Sequence, residues 1–127
     1  MKQTVPSFLQ PGDTIGISAT ARFATAESLA IAERTITAEG FNCYYSPEIS
    51  MQHHQLAGTV TERVQHFNAL IHNPNIKAIW NIRGGYGSAE IVDLVDWEAL
   101  IAQPKWLIGF SDFTTFLCHG VQKGIAT

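Results

Sequence analysis

The feature that most constrains the fold of this chain is a regular alternation of short apolar runs with amphipathic segments. Unbroken apolar runs are typical of parallel strands buried on both faces, and the amphipathic segments between them predict crossover helices. The strands are predicted at 13–19, 41–46, 76–82 and 105–110, and the helices at 25–40, 61–74, 89–95 and 112–124.

This order of elements predicts the fold class. We expect an α/β fold of three layers, a mostly parallel sheet with helices on both faces, similar to flavodoxin or Rossmann domains. A chain of 127 residues has the size of one domain, so residues 1–127 are interpreted as a single α/β domain. Residues 47–58 show no clear period and are predicted to form a loop.

Composition and charge exclude several classes of protein. Apolar residues make up 46% and charged residues 15% of the chain, as in a globular protein. The formal net charge is −3 without a basic cluster, so no nucleic-acid partner is expected. The sequence contains no signal-peptide pattern and no run long enough to span a membrane. Cys43 and Cys118 are interpreted as small core residues in a reducing compartment, so we expect a cytoplasmic protein.

Two loops follow predicted strands at the edge where parallel α/β sheets bind their ligands. The first is GFSD, residues 109–112, whose strand–turn–helix setting is similar to a nucleophile elbow. On this interpretation Ser111 attacks a substrate, and the amide of Asp112 helps to stabilise the oxyanion. The alternative is that Ser111 caps the following helix by accepting a hydrogen bond from a nearby amide.

The second loop is RGGYGS, residues 83–88. Its glycines offer consecutive amides without Cβ atoms, a pattern that can approach a ligand closely and bind an anion. The alternative is a tight turn into a helix. A nucleotide site would require a Gly-Lys-Ser/Thr motif or a glycine motif after the first strand, and the sequence has neither.

Together the two loops resemble the LD-carboxypeptidase family, which comprises muramoyl-tetrapeptide carboxypeptidases and related microcin self-immunity peptidases. That family combines an R-G-G-Y-G loop with a P-K-x-x-x-G-[YF]-S-D-x-T segment, matched here by residues 83–87 and 104–114. LQPGDTIGISA and AGTVTERVQHFNAL are similar to two further family segments, the second with Gly58, Thr59 and Arg63 in register. The resemblance spans most of the chain.

The resemblance implies a serine peptidase that removes a terminal D-amino acid from cell-wall peptides, typically the D-alanine of a murein tetrapeptide. It implies that no metal or cofactor is needed. Ser111 would be the nucleophile, and the backbone amides of Asp112 and Gly85 would form the oxyanion hole. The substrate would also contact Gly84, Tyr86 and Arg83, although Arg83 could instead form a surface ion pair.

The chain departs from the family pattern in three respects. Its first strand runs into Ser18-Ala19-Thr20-Ala21, where the family usually has a proline-serine turn. The acidic residue often found before Arg63 is replaced by Val60 and Thr61, leaving Glu62. In addition, the family's catalytic histidine and its glutamate partner belong to a C-terminal domain that lies outside these 127 residues.

None of the five histidines is expected to replace the missing base. His119 follows Ser111 by eight residues on one predicted helix, which places it about 12 Å away. His66 and His72 are interpreted as surface or boundary residues, and His53 and His54 belong to the predicted loop.

We therefore expect the N-terminal, nucleophile-bearing domain of a serine LD-carboxypeptidase, inactive alone. The alternatives are a non-catalytic module that binds a small molecule or a peptidoglycan fragment, and a mere interaction domain. A partner surface is expected at the carboxyl edge of the sheet and along 112–124, to be covered by a C-terminal domain or by a second copy in a homo-oligomer. Its apolar candidates are Phe113, Phe116, Leu117 and Val121.

Overall fold

A computed structural model describes residues 2–127 and contains one sheet of four parallel strands. The strands lie in the order β2-β1-β3-β4, which is the beginning of the flavodoxin order. The order reverses between β1 and β3, and this is where such sheets open a crevice for ligands. The strands are β1 Thr14–Ser18, β2 Asn42–Tyr44, β3 Ile76–Asn81 and β4 Trp106–Ile108.

Five α-helices connect and cover the strands. The two long helices α1 and α2 begin at capping boxes, in which Thr25 pairs with Ser28 and Thr59 pairs with Glu62. In the described part of the chain no helix is both long and apolar enough to cross a membrane. The helices are α1 Ala26–Ala38, α2 Val60–His72, α3 Ser88–Ile91, α4 Trp97–Ala102 and α5 Thr114–Gln122.

Two separate apolar clusters cover the two faces of the sheet, so the three-layer architecture is confirmed. Leu29 and Ile36 of α1 pack with Ile15 and Ile17 of β1 on one face. The other face carries the larger cluster, contributed by α2 to α5 together with β3 and β4. Its buried members include Phe67, Leu70, Ile79, Ile91, Leu100, Phe113 and Phe116.

The segment between β3 and β4 differs from the sequence prediction. A helix over 89–95 was expected, but α3 is a single turn that ends at Ile91. A further helix, α4, was not predicted. It begins because the Asp96 carboxylate accepts a hydrogen bond from the amide of Ala99 at 3.0 Å. His72 also hydrogen-bonds to Asp96, at 2.8 Å, and this bond holds the pKa of the carboxyl below its ordinary value.

Several predictions about burial were wrong. His66 is buried rather than at the surface, because it faces the segment that contains Glu48 and Met51. Cys118 is exposed on the outer side of α5, so it is not a core thiol, and Cys43 is half-buried. The predicted loop 47–58 contains a short 3₁₀ helix, Pro47–Ser50, which buries Ile49.

The predicted partner surface on α5 was also partly wrong. Phe113 and Phe116 are completely buried and stack on one another, with ring centroids 5.0 Å apart. These aromatic rings fill the core beneath β4, so they cannot also face a partner. Leu117 is half-buried, and Val121 remains exposed.

Candidate functional site

Ser111 lies at a sharp turn between β4 and α5. Its φ angle is +58°, in the left-handed region that a residue with a Cβ adopts at an energetic cost. The residue is exposed, and the helical segments after it receive no side-chain capping hydrogen bond. The helix-cap interpretation of Ser111 is therefore wrong, and the strand–elbow–helix placement expected from the sequence is present.

Gly109 explains why the chain can turn this sharply. A Cβ atom at Gly109 would collide with the ring of Phe113, which folds back under the end of β4. Phe113 is itself completely buried, so the ring cannot move aside easily. The glycine two residues before Ser111 thus lets the core pack tightly under the elbow.

The glycine loop that follows β3 lies directly against this elbow. A Cβ atom at Gly84 would lie 3.1 Å from Ser111 Oγ and 3.5 Å from the amide nitrogen of Asp112. Gly85 has a φ angle of +127° and lies on the other side of the loop, against Ala21 and Arg22. The two loops identified in the sequence are therefore neighbours, and glycine at position 84 is what permits their contact.

The carbonyl groups of the glycine loop are bound by the rest of the protein. The Asn81 side chain donates to the carbonyl of Arg83 at 2.7 Å, and the Arg22 amide donates to the carbonyl of Gly84 at 3.3 Å. By contrast, the amides of Gly84, Gly85 and Tyr86 donate no hydrogen bond within residues 2–127. A loop whose carbonyls are held and whose amides are unused is suited to bind an anion or an oxyanion.

A buried polar network fixes this arrangement. Asn81 accepts hydrogen bonds from the Ser18 hydroxyl at 2.9 Å and from the Thr20 amide at 3.1 Å. The Thr20 hydroxyl lies 2.8 Å from that of Ser88, and the Ser88 amide donates to the Asp112 carboxylate at 3.0 Å. The network thus connects the ends of β1 and β3 to the glycine loop and to the elbow.

Arg63 anchors the same network from α2. Its side chain is 1% exposed and donates to the carbonyls of Gly58, Thr20 and Gly87 at 3.1, 2.9 and 3.0 Å. It also pairs with the more exposed Glu90 at 3.3 Å. Because its donors are used inside the protein, Arg63 holds the loop and is not available to a ligand.

Sequence reasoning missed most of this network. The sequence indicated Arg63 only through its match to a segment of the family. It did not indicate Ser18, Thr20 or Asn81 as site residues. A signal was present, since three polar residues end two otherwise apolar strands at the edge where ligands bind. Such residues must be hydrogen-bonded when buried, and here they are bonded to one another.

No histidine of the described residues hydrogen-bonds to Ser111. His119 and His72 pair with Asp93 and Asp96, at 2.9 and 2.8 Å respectively. His66 is buried on α2, where burial lowers the pKa of its imidazole and the nearby Glu48 opposes this effect. His53 and His54 contact each other edge to face, with ring centroids 4.6 Å apart. Among residues 2–127 there is also no cluster of three or more potential metal ligands.

The surroundings of Ser111 form an open surface rather than a closed pocket. Tyr86 is 95% exposed and Phe110 is 75% exposed, so both aromatic side chains extend into solvent beside the site. Arg83 is half-buried and takes part in no ion pair within the described part of the chain. The alternative of a surface ion pair at Arg83 is therefore not supported, whereas an unpaired charge at the end of a strand remains an alternative interpretation.

Comparison with known proteins decides the family. Residues 15–127 match the model of the LD-carboxypeptidase N-terminal domain. The chain belongs to the LD-carboxypeptidase family. Relatives include the microcin C7 self-immunity protein MccF of Escherichia coli, 44% identical over 61 residues that cover 48% of this chain and 18% of MccF. They also include the murein tetrapeptide carboxypeptidase of Pseudomonas aeruginosa, 32% identical over 93 residues that cover 72% of this chain and 30% of the relative.

Solved structures of LD-carboxypeptidase relatives have the same architecture. The structure of MccF in complex with aspartyl sulfamoyl adenosine superposes with a TM-score of 0.83 at 31% identity, over 96% of this chain and 37% of MccF. This similarity confirms the α/β fold predicted from the sequence. The chain spans less than two fifths of that relative's length.

Proposed function

We propose that this chain is the nucleophile-bearing domain of a serine LD-carboxypeptidase. The observation that carries the proposal is the position of Ser111, strained, exposed and in contact with a glycine loop whose amides are unused. A serine held in this way can reach a substrate carbonyl without first moving its backbone. Membership of the family supports the same reaction.

In the proposed reaction Ser111 Oγ attacks the carbonyl carbon of the bond between the penultimate residue and the terminal D-amino acid. A general base takes the hydroxyl proton, and the negative charge develops on the carbonyl oxygen. The amides of Asp112 and Gly85 donate to this oxyanion, each contributing roughly 3 kcal/mol of transition-state stabilisation. The C–N bond then breaks, the amine leaves with the proton, and water hydrolyses the acyl-serine.

The general base is proposed to come from outside these residues. None of the described histidines hydrogen-bonds to Ser111, and the relatives are much longer than this chain. The open surface around Ser111 supports the same conclusion, because peptidase sites normally enclose their substrates. The proposal therefore includes a C-terminal domain that supplies the base and closes the site.

The proposed substrate is a murein tetrapeptide, and the proposed role is peptidoglycan recycling in the cytoplasm. One relative is named a murein tetrapeptide carboxypeptidase, which supports this class of substrate. Free thiols at Cys43 and at the exposed Cys118 fit a reducing compartment.

Reconstitution tests the proposal. We would mix the chain with a separately expressed C-terminal domain of the Pseudomonas relative and measure release of D-alanine from a murein tetrapeptide. Release is expected from the mixture but not from the chain alone, since an unassisted serine is a poor nucleophile. Ser111→Ala should abolish it, and Ser50→Ala, at an exposed serine of the short 3₁₀ helix, should not.

The second candidate is a non-catalytic module that binds a peptidoglycan fragment. It is favoured by the combination of two features. The loop amides are unused, and no described histidine hydrogen-bonds to Ser111. This function would be supported by a chain that binds the tetrapeptide equally well with Ser111→Ala and fails to hydrolyse it when mixed with any of the C-terminal domains.

A further inference from the structure

Arg22 is a second cation beside the glycine loop, and none of the functions above uses it. It follows β1, so it lies at the crevice between β1 and β3 where the strand order reverses. Its amide donates to the carbonyl of Gly84 at 3.3 Å. A Cβ atom at Gly85 would lie 3.0 Å from Arg22 Cβ, so the two residues are in direct contact.

The guanidinium group of Arg22 has no partner inside the described chain. Its Nε atom is buried without a hydrogen bond, and no carboxylate of residues 2–127 forms an ion pair with it. The group lies over the ring of Phe23, 5.5 Å from the ring centroid, and this contact orients it. Arg63, which contacts the loop at Gly87, has its donors satisfied, so the two arginines have different roles.

An unpaired buried donor on a charged side chain is costly in a folded protein. Such a group is expected where a ligand completes its hydrogen bonds. A planar anion suits arginine best, since a carboxylate accepts two parallel hydrogen bonds from one guanidinium. Arg22 thus has the chemistry of a carboxylate-binding residue in which the ligand replaces an internal partner.

We propose that Arg22 determines specificity by binding the free carboxylate of the terminal D-amino acid. This inference rests on the proposed function, because it assumes that the scissile carbonyl lies at Ser111. Gly84 contacts Ser111, and the adjacent Gly85 contacts the backbone and Cβ of Arg22, so the same loop borders both residues. The terminal carboxylate belongs to the residue beside the bond that is cut, so a substrate bound along this loop presents it on the side of Arg22. A substrate that ends in an amide would leave the guanidinium unpaired.

The segment that carries Arg22 also departs from the family pattern, since it reads SATARFAT instead of a proline-serine turn. Arg83, which begins the same loop, is the competing candidate for binding a substrate carboxylate, and an experiment can separate the two arginines.

The test is a titration of the ¹⁵N-labelled 127-residue chain followed by amide chemical shifts. N-acetyl-D-alanine is the probe, and N-acetyl-D-alaninamide is its uncharged match. The acid is expected to shift the amides of residues 83–88 and to bind about tenfold more tightly than the amide. Arg22→Gln should remove this preference, Arg22→Lys should restore part of it, and Arg34→Gln, on the exposed side of α1, should leave it unchanged.

Several results would overturn the inference. One is a wild-type chain that binds acid and amide equally; another is a preference that survives Arg22→Gln but disappears with Arg83→Gln. Binding of adenosine monophosphate in place of the acid, lost with Arg22→Gln, would show an anion site for phosphate and contradict the carboxylate assignment. Spectra of each variant report whether it is folded.

The titration does not depend on Ser111 as a nucleophile. Failure of the reconstituted hydrolysis with an intact Arg22-dependent acid preference would therefore reject the proposed reaction alone. Hydrolysis that depends on Ser111 but does not distinguish acid from amide substrates would reject the role of Arg22 alone.

Discussion

At the scale of single residues, Arg63 shows how a charged side chain can be structural. A buried guanidinium is tolerated when its donors are bonded, and this one is bonded to three carbonyls and a carboxylate. Arg63→Met should leave those carbonyls without donors and lower the free energy of unfolding by roughly 3 kcal/mol. Urea denaturation measures this change, with the exposed Arg34→Met as the control. A loss as small as that of the control would show that water replaces the guanidinium.

His66 gives a prediction about pH at the same scale. Burial lowers the pKa of its imidazole in the folded chain, so the unfolded chain binds the proton more readily. The contribution of His66 to stability is therefore present above the unfolded pKa of about 6.5 and is lost as pH falls towards the folded value. One titrating group changes the free energy of unfolding by at most about 1.4 kcal/mol per pH unit.

Chemical denaturation between pH 7.5 and pH 5.5 measures this effect. His66→Gln should flatten the dependence, whereas His53→Gln, at an exposed histidine, should retain it. An unchanged slope in His66→Gln would mean that another group carries the effect.

At the scale of elements, α2 matters most to the site, because it carries Arg63 beneath the glycine loop. Its N-terminus is a capping box, with the Glu62 amide donating to the Thr59 hydroxyl at 3.2 Å and the Glu62 carboxylate accepting from the Thr59 amide at 2.9 Å. Thr59→Ala should lower the free energy of unfolding by about 1 kcal/mol. Thr61→Ala, two residues further at an exposed position, should change it by less than half of that amount. Equal effects would contradict a specific capping role.

The elements also show what the sequence can and cannot predict. The strands were predictable because their apolar runs are unbroken, and the two long helices because their apolar faces repeat. By contrast, α4 was not predictable from periodicity, because it has two buried residues and depends on the Asp96 cap, whose amide is itself held by Asn68. For the site, too, local patterns were predictable and long-range contacts were not. The local glycine motifs indicated both loops, but the Asn81 network depends on contacts between residues more than sixty positions apart.

At the scale of the whole molecule, one face of the sheet is less well covered than the other. On the face of the sheet that α1 covers, the covering ends near Trp80. Trp106 and Ile108 of the neighbouring strand β4 are therefore only half-buried, although that strand is apolar. A cavity of about 670 Å³ lies there, between the N-terminal segment, the open edge of β4 and the end of the chain. Phe8 lines this cavity and is 76% exposed. We therefore expect the apolar partner surface at the edge of β4, where Leu117 of α5 also lines the cavity.

This position predicts how the isolated chain behaves in solution. An open strand edge beside exposed aromatic side chains favours association, so the chain should self-associate as its concentration rises. Light scattering should show Phe8→Glu shifting this equilibrium towards monomer, because the charge would be buried at the contact. Val121→Glu places the same charge on α5 at a residue that is 44% exposed, and it should have little effect. The opposite order of effects would place the partner surface on α5, as the sequence alone suggested. A clean monomer at high concentration would mean that the chain does not self-associate through the β4 edge.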